Sequence, residues 1–247
     1  MSYDRHQPLH AMLNITNIVG YKQTAHRINR TVCNLLPVNE DKFLLAPAID
    51  YVGGQRYDPD DQKLFKQKTN LPVQLRLQQG ARVMYLKNDM MEKNICNGTI
   101  GVVTDVDPSS VEVRVAFSVT GGIVDIVIKK MSDTFIVDGK PSSRYQFPLQ
   151  NAFALTVHKT QGLTLPEISV CLDQQIFAPG QAYTALSRST DWSKVHIASF
   201  HPLAFIADTS MVQEYEPLQE KVFTSYIATF MCLFYYLRFH VYFSFLA

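Results

Sequence analysis

The chain has 247 residues, 47% of them apolar and 18% charged. At about 150 residues per domain this length fits one or two domains, and so apolar a composition excludes a chain without a folded core. Its 23 basic and 22 acidic side chains leave a formal charge of +1, so no bulk basic field argues for nucleic acid.

Residues 11–18 (AMLNITNI) read as a buried strand. After Gly20, the apolar or small residues Ala25, Ile28, Val32, Leu35 and Leu36 recur at three- and four-residue steps, which predicts a helix ending near Pro37. Residues 43–48 are a second short apolar run. Residues 53–70 are polar, with basic side chains among Gln and Asp, and read as a surface connection. Between residues 75 and 137 short strands alternate with turn signals such as Asn97-Gly98, Asp107-Pro108 and Gly121-Gly122. Val111, Val113 and Val115 alternate with Glu112 and Arg114, which places valines on one face. Five short strands in this stretch predict a small antiparallel barrel inserted into an α/β domain. The α/β texture returns after Arg144, with strands expected at 152–157, 168–172 and 195–199 and a helix-compatible segment at 180–189.

Cys33, Cys96, Cys171 and Cys232 lie far apart and form no CxxC pair, which argues against a disulfide framework or a zinc site and fits a reducing compartment. The first ten residues (MSYDRHQPLH) have no apolar h-region and are not read as a secretory signal. Residues 222–247 hold ten of the 28 aromatics and only one charge, Arg238. The uncharged run there is 16 residues, short of the roughly 20 needed to span a bilayer.

Two segments carry chemistry. HKTQG (158–162) follows an expected strand end, where open α/β sheets bind ligands. Lys159, Thr160 and Gln161 supply a cation, a hydroxyl and an amide suited to phosphate oxygens, and Gly162 admits close backbone approach. A plain strand-to-loop turn with solvated polar residues is the alternative. In GQAYTALSRS (180–189), helical spacing puts Gln181, Thr184 or Ala185, and Arg188 on one face, with Tyr183 and Leu186 turned to the core. Arg188 then reads as an arginine finger, a group worth about 10³–10⁵ in phosphoryl-transfer rate, or as a surface cation at a helix C-terminus.

Together these segments resemble the Pif-type (petite integration frequency) superfamily-one DNA helicases, related to RecD-like and Helitron-encoded helicases. FALTVHKTQGLTL (153–165) is similar to motif V and GQAYTALSR (180–188) to motif VI. Residues 75–103 resemble the opening of the family's inserted SH3-like subdomain, residues 144–155 the return from it, and residues 13–36 the motif IV strand and helix. The resemblance covers roughly residues 11–218 and implies a RecA-like, P-loop-NTPase-type α/β fold, the second motor domain, with an inserted SH3-like β-barrel. Residues 1–70 would begin the RecA-like domain, 71–145 form the insertion, 146–218 complete the domain, and 219–247 be a tail outside the match.

The resemblance implies ATP-dependent five-prime-to-three-prime unwinding, in DNA repair, recombination, telomere maintenance or mobile-element replication. It casts Arg188 as the arginine finger and assigns ATP coupling to Gln181, Gln161 and Gly162, with Tyr183 in support. DNA contacts fall to His158, Lys159, Thr160 and Asn17, and Asn29 takes a partly structural motif IV position. ATP and Mg²⁺ are the family's cofactors, and no protein-bound metal is expected.

The sequence departs from the family in one respect. It holds no GxxxxGK[ST] loop, since its only Gly-Lys pair, Gly139-Lys140, precedes Pro141, and it has no DE-type acidic pair at a strand end. The expectation is therefore a C-terminal half that binds no cofactor alone and is inactive without the ATP-binding half. Single-stranded DNA and that missing half are the expected partners, with no obligate oligomer, no membrane span and a nuclear or other intracellular location. A non-catalytic single-strand-binding module, a decayed gene fragment and a fragment tethered to a membrane through residues 222–247 are the alternatives.

Overall fold

The computed structural model describes residues 14–37, 39–57, 65, 68–210 and 213. In chain order the first strands are β1 (Thr16–Val19), β2 (Phe43–Pro47), β3 (Ile49–Val52), β4 (Gln55–Tyr57) and β5 (Gln74–Gln78). Then come β6 (Arg82–Tyr85), β7 (Ile100–Asp107), β8 (Glu112–Val119), β9 (Gly122–Ile128) and β10 (Met131–Val137). The last are β11 (Lys140–Gln146), β12 (Leu149–Asn151), β13 (Ala154–Thr156), β14 (Ile168–Leu172) and β15 (Val195–Phe200). Among the described residues, the α-helices with both ends defined are α1 (Lys22–Leu35), α2 (Val157–Thr160) and α3 (Gln181–Leu186).

Four strands form a parallel sheet in the order β13–β1–β14–β15. Parallel strands must be covered on both faces, and Ile18, Ile168, Val170 and Leu172 are accordingly fully buried. Helix α1 covers part of this sheet. Its Ala25 packs with Val19 and Ala154, while Val32 and Cys33 reach the core of the antiparallel region. One short helix thus joins two cores.

The antiparallel region comprises a five-stranded sheet, β12–β6–β7–β8–β9, a four-stranded sheet, β10–β11–β3–β4, and the ladder β2–β5. Strands β2, β3 and β4 precede residue 71 and pair with β5, β11 and one another. The predicted alternation holds in β8, where Val113, Val115 and Phe117 are buried and Arg114 is exposed. Gly101 faces Phe117 across the ladder, and a Cβ there would lie 2.7 Å from the ring.

The expected closed barrel does not form among the described residues. The consecutive strands β9 and β10 fall in different sheets, so the chain bends at Lys129-Lys130 instead of pairing. Seven strands lie between Gln74 and Gln146, two more than expected: β5 (QLRLQ), where only the buried Leu75 and Leu77 mark the alternation, and β11 (KPSSRYQ), which lacks apolar alternation. Strand β1 begins at Thr16, not residue 11, and residues 11–13 lie outside the described residues. Val111 sits in a turn at φ 54°, outside the valine face, and Leu35 is half exposed while Leu36 is buried. Residues 53–70 are not wholly a surface connection: they contribute β4 and the fully buried Phe65, whose ring lies 5.7 Å from Tyr57 and 5.2 Å from Phe135. The aromatic tail after residue 218 lies outside the described residues. No described helix is long and apolar enough to cross a membrane.

Candidate nucleic-acid interface

Segments leaving the C-terminal ends of three parallel strands converge. Strand β13 runs into α2, β1 runs through Gly20 and Tyr21 into α1, and β14 runs through residues 173–180 into α3. This end of an open α/β sheet is where ligands bind.

A cleft of about 1300 Å³ opens beside it, lined by Lys22, His26, Asn29 and Arg30 of α1, by Lys68 and Arg76, and by Thr156 and Lys159. Lys22, His26 and Arg30 are spaced four apart and all exposed, so α1 turns one basic stripe to the cleft. Arg76 is engaged, donating to Gln78 Oε1 at 2.9 Å and to Asn34 Oδ1 and stacking over Phe43. Lys22, Arg30, Lys68 and Lys159 form no ion pair among the described residues. Asp133 is the one carboxylate among the described lining residues. Its oxygens accept from Lys87 Nζ and Thr69 Oγ1, each at 2.6 Å. The cleft is therefore locally positive in a chain whose net charge is near zero. Burial, and then the like charge of Lys22, hold the Lys159 ammonium below the usual lysine range. A phosphate between these two lysines would relieve that repulsion.

The sequence-predicted residues divide between this face and the interior. His158 is exposed, and Lys159 lines the cleft. Thr160 is fully buried, and its hydroxyl donates to Val157 O at 2.8 Å, so the predicted phosphate donor closes its own helical turn. Gln161 and Gly162 are exposed, Gly162 at φ +79°. Asn17 Nδ2 donates to Phe153 O at 3.1 Å. Asn29 brackets one peptide of β13, donating to Ala154 O at 2.9 Å and accepting from Ala154 N–H at 2.8 Å. Both asparagines hold β13 in place.

Arg188 and Gln181 lie on the α3 side. Arg188 donates through Nε to Thr184 O at 2.7 Å and through Nη1 to Thr160 O and Leu163 O, each at 3.2 Å. Its Nη2 donates to Ser187 Oγ at 2.8 Å. The guanidinium thus ties α3 to the loop after α2. Gln181 is buried; its Oε1 accepts from Phe177 N–H at 3.0 Å and Ala178 N–H at 3.3 Å, while Nε2 has no partner among the described residues. Tyr183 is 46% exposed, contrary to its expected core position, because the six-residue helix turns that face outward. ATP is the implied cofactor, yet the 247 residues contain no phosphate loop and Arg188 is committed to backbone carbonyls. The described residues alone do not build a triphosphate site.

The α1 stripe and Lys68 were not singled out by sequence. The four-residue spacing of Lys22, His26 and Arg30 carried the signal, masked by the neutral overall balance.

No family model matches the chain. It is 33% identical over 147 residues to the ATP-dependent DNA helicase PIF1 of Rattus norvegicus, a match covering 59% of this chain and 23% of that protein. It is 30% identical over 204 residues to the ATP-dependent DNA helicase Pif1 of Bdellovibrio bacteriovorus, covering 83% of this chain and 44% of the relative. The chain belongs to the Pif1 helicase family. It spans about a quarter of the rat relative and under half of the bacterial one. Solved Pif1 structures share its fold. The Pif1 helicase of Candida albicans superposes with a TM-score of 0.71 at 24% identity, covering 88% of this chain and 52% of that one. A Bacteroides Pif1 bound to ssDNA gives a TM-score of 0.60 at 24% identity, covering 84% and 46%.

Proposed function

We propose that this chain is the second motor half of a Pif1-type DNA helicase, and that its own contribution is to grip single-stranded DNA in the basic cleft. The observation that carries this reading is the convergence of Lys22, His26, Arg30, Lys68 and Lys159 on one cleft whose single described carboxylate is neutralised. The Bacteroides relative bound to ssDNA supports the same partner. The parallel sheet takes the RecA-like role. The antiparallel region takes the place of the SH3-like insertion, its short strands supporting that assignment. ATP coupling falls to Arg188, Gln181, Gln161 and Gly162 once an ATP-binding half is present, with Gln181 Nε2 the donor left for a phosphate oxygen. The chain alone neither hydrolyses ATP nor unwinds a duplex.

Fluorescence anisotropy of a labelled oligo(dT) tests the grip. Four phosphate contacts, from Lys22, Arg30, Lys68 and Lys159, predict a log–log salt slope of about −3 for a single strand. No binding at low salt, or binding indifferent to salt, would overturn the reading. DNA-stimulated phosphate release by the pure chain, abolished by Arg188→Ala, would overturn its inactivity. A non-catalytic single-strand-binding module is the second reading. It is favoured by the Arg188 guanidinium being satisfied without any nucleotide.

A further inference from the structure

Two aromatic rings meet in the open beside the cleft. Tyr21, at the start of α1, and Phe177, in the loop after β14, stack with centroids 5.8 Å apart and planes 18° from parallel. They are 46% and 54% exposed. The His158 ring, on the segment after β13, lies 6.4 Å from Phe177. Burial is the ordinary reason for loop aromatics to meet, and here half of each ring remains in water.

The arrangement is held from three sides. Tyr21 Oη donates to Gln174 O at 3.2 Å. The buried Gln181 side chain fixes the Phe177 loop by accepting the Phe177 and Ala178 N–H groups. Gly20 lets the two segments touch, since a Cβ there would stand 1.7 Å from Gln175 O. A surface built this way loses little freedom when a ligand arrives.

We propose that Tyr21 and Phe177, flanked by His158, form a stacking platform for one base of a single strand whose backbone runs into the cleft. Sites for single strands combine a cationic groove that follows the backbone with aromatic rings that stack bases. Here the next residues in sequence supply the cations: Lys22 follows Tyr21, Lys159 follows His158, and both line the cleft. The shared chemistry is a nucleobase, which a strand or a free nucleotide could bring. A strand fits because the cations continue along the cleft to Arg30 and Lys68, Arg30 lying eight residues or about 12 Å of helix rise beyond Lys22. This inference rests on the reading that the cleft holds single-stranded DNA.

The test compares labelled oligo(dT) with an abasic oligonucleotide of equal length, using the full chain. Tyr21→Ala and Phe177→Ala are each expected to weaken oligo(dT) binding on the order of tenfold and to leave abasic binding nearly unchanged. Tyr21→Phe, which keeps the ring and loses only the exposed bond to Gln174 O, should bind far closer to the parent than Tyr21→Ala does. A 2-aminopurine base in the strand should be quenched on binding to the parent chain, which gives a readout that needs no variant. If Lys22→Ala and Lys159→Ala weaken both oligonucleotides while the aromatic variants change neither, the platform is overturned and the cleft reading stands. If the parent chain binds neither oligonucleotide, both readings fall. Displacement of the 2-aminopurine signal by millimolar mononucleotide would reassign the platform to a free nucleotide and overturn the strand.

Discussion

Lys159 carries its charge in an unfavourable place: partly buried and close to Lys22. Its folded-state pKa lies below its unfolded value, so the folded chain is penalised at any pH where the amine is charged. That penalty fades as pH rises through the lowered pKa. Lys159→Gln is therefore expected to raise the thermal unfolding midpoint at neutral pH while weakening oligonucleotide binding. A fall in both would show that the ammonium supports the fold instead. HKTQG reads from sequence as a phosphate-facing segment or a plain strand-to-loop turn, and of its residues the structure sets Lys159 in the cleft lining. The role of Thr160 was not legible, because only the three-dimensional turn shows its hydroxyl spent on Val157 O. Lys22, His26 and Arg30 were hidden for another reason: a charge average has no direction, whereas a four-residue spacing does.

Among the elements, those with regular apolar patterns could be placed from sequence. Strands β7, β8, β9 and β14 follow the runs and turns that predicted them, because alternation and Gly-rich or Asp-Pro turns are local signals. Strand β11 follows a different physics. Its KPSSRYQ sequence looks like a loop, yet Arg144 lies 3% exposed against the 1% exposed Asp50 of β3. The pair is bidentate at 2.8 and 2.7 Å, Arg144 Nη1 also donates to Leu71 O, and the guanidinium lies over the Phe65 ring. An ion pair 94 residues apart in sequence cannot be read from a local window. Removing one partner leaves the other buried without its counter-charge, so Asp50→Ala is expected to cost about 3–5 kcal/mol, read from urea unfolding. A loss near zero would mean that water reaches Arg144 once the carboxylate is gone.

At the scale of the whole molecule, the antiparallel region touches the loop that holds Arg188. Gly98 sits at φ +101° in the turn before β7, and a Cβ there would lie 2.6 Å from Leu163 Cδ2. Leu163 in turn offers its carbonyl to Arg188. Gly98→Ala is expected to cost about 1–3 kcal/mol from backbone strain and crowding. Adding Leu163→Ala should recover the crowding part, so the two penalties are less than additive. Additivity within about 0.5 kcal/mol in a double-mutant cycle would show that the two regions are not coupled there. The division into parallel and antiparallel parts was legible because the period of the pattern changes along the chain. The openness of the sheets was not, since closure depends on which edges meet.

The pairing of β1 with β13 has a consequence in time. Asn17 bonds to Phe153, 136 residues later, while β7, β8 and β9 join through short turns. During synthesis at about 5–20 residues per second, β1 and α1 wait roughly ten seconds for their neighbours. The hairpins meanwhile close on contacts near in sequence, which form faster than distant ones. Among the described residues, the parallel sheet, and with it the cleft and its aromatic rim, is therefore the last part to acquire its shape.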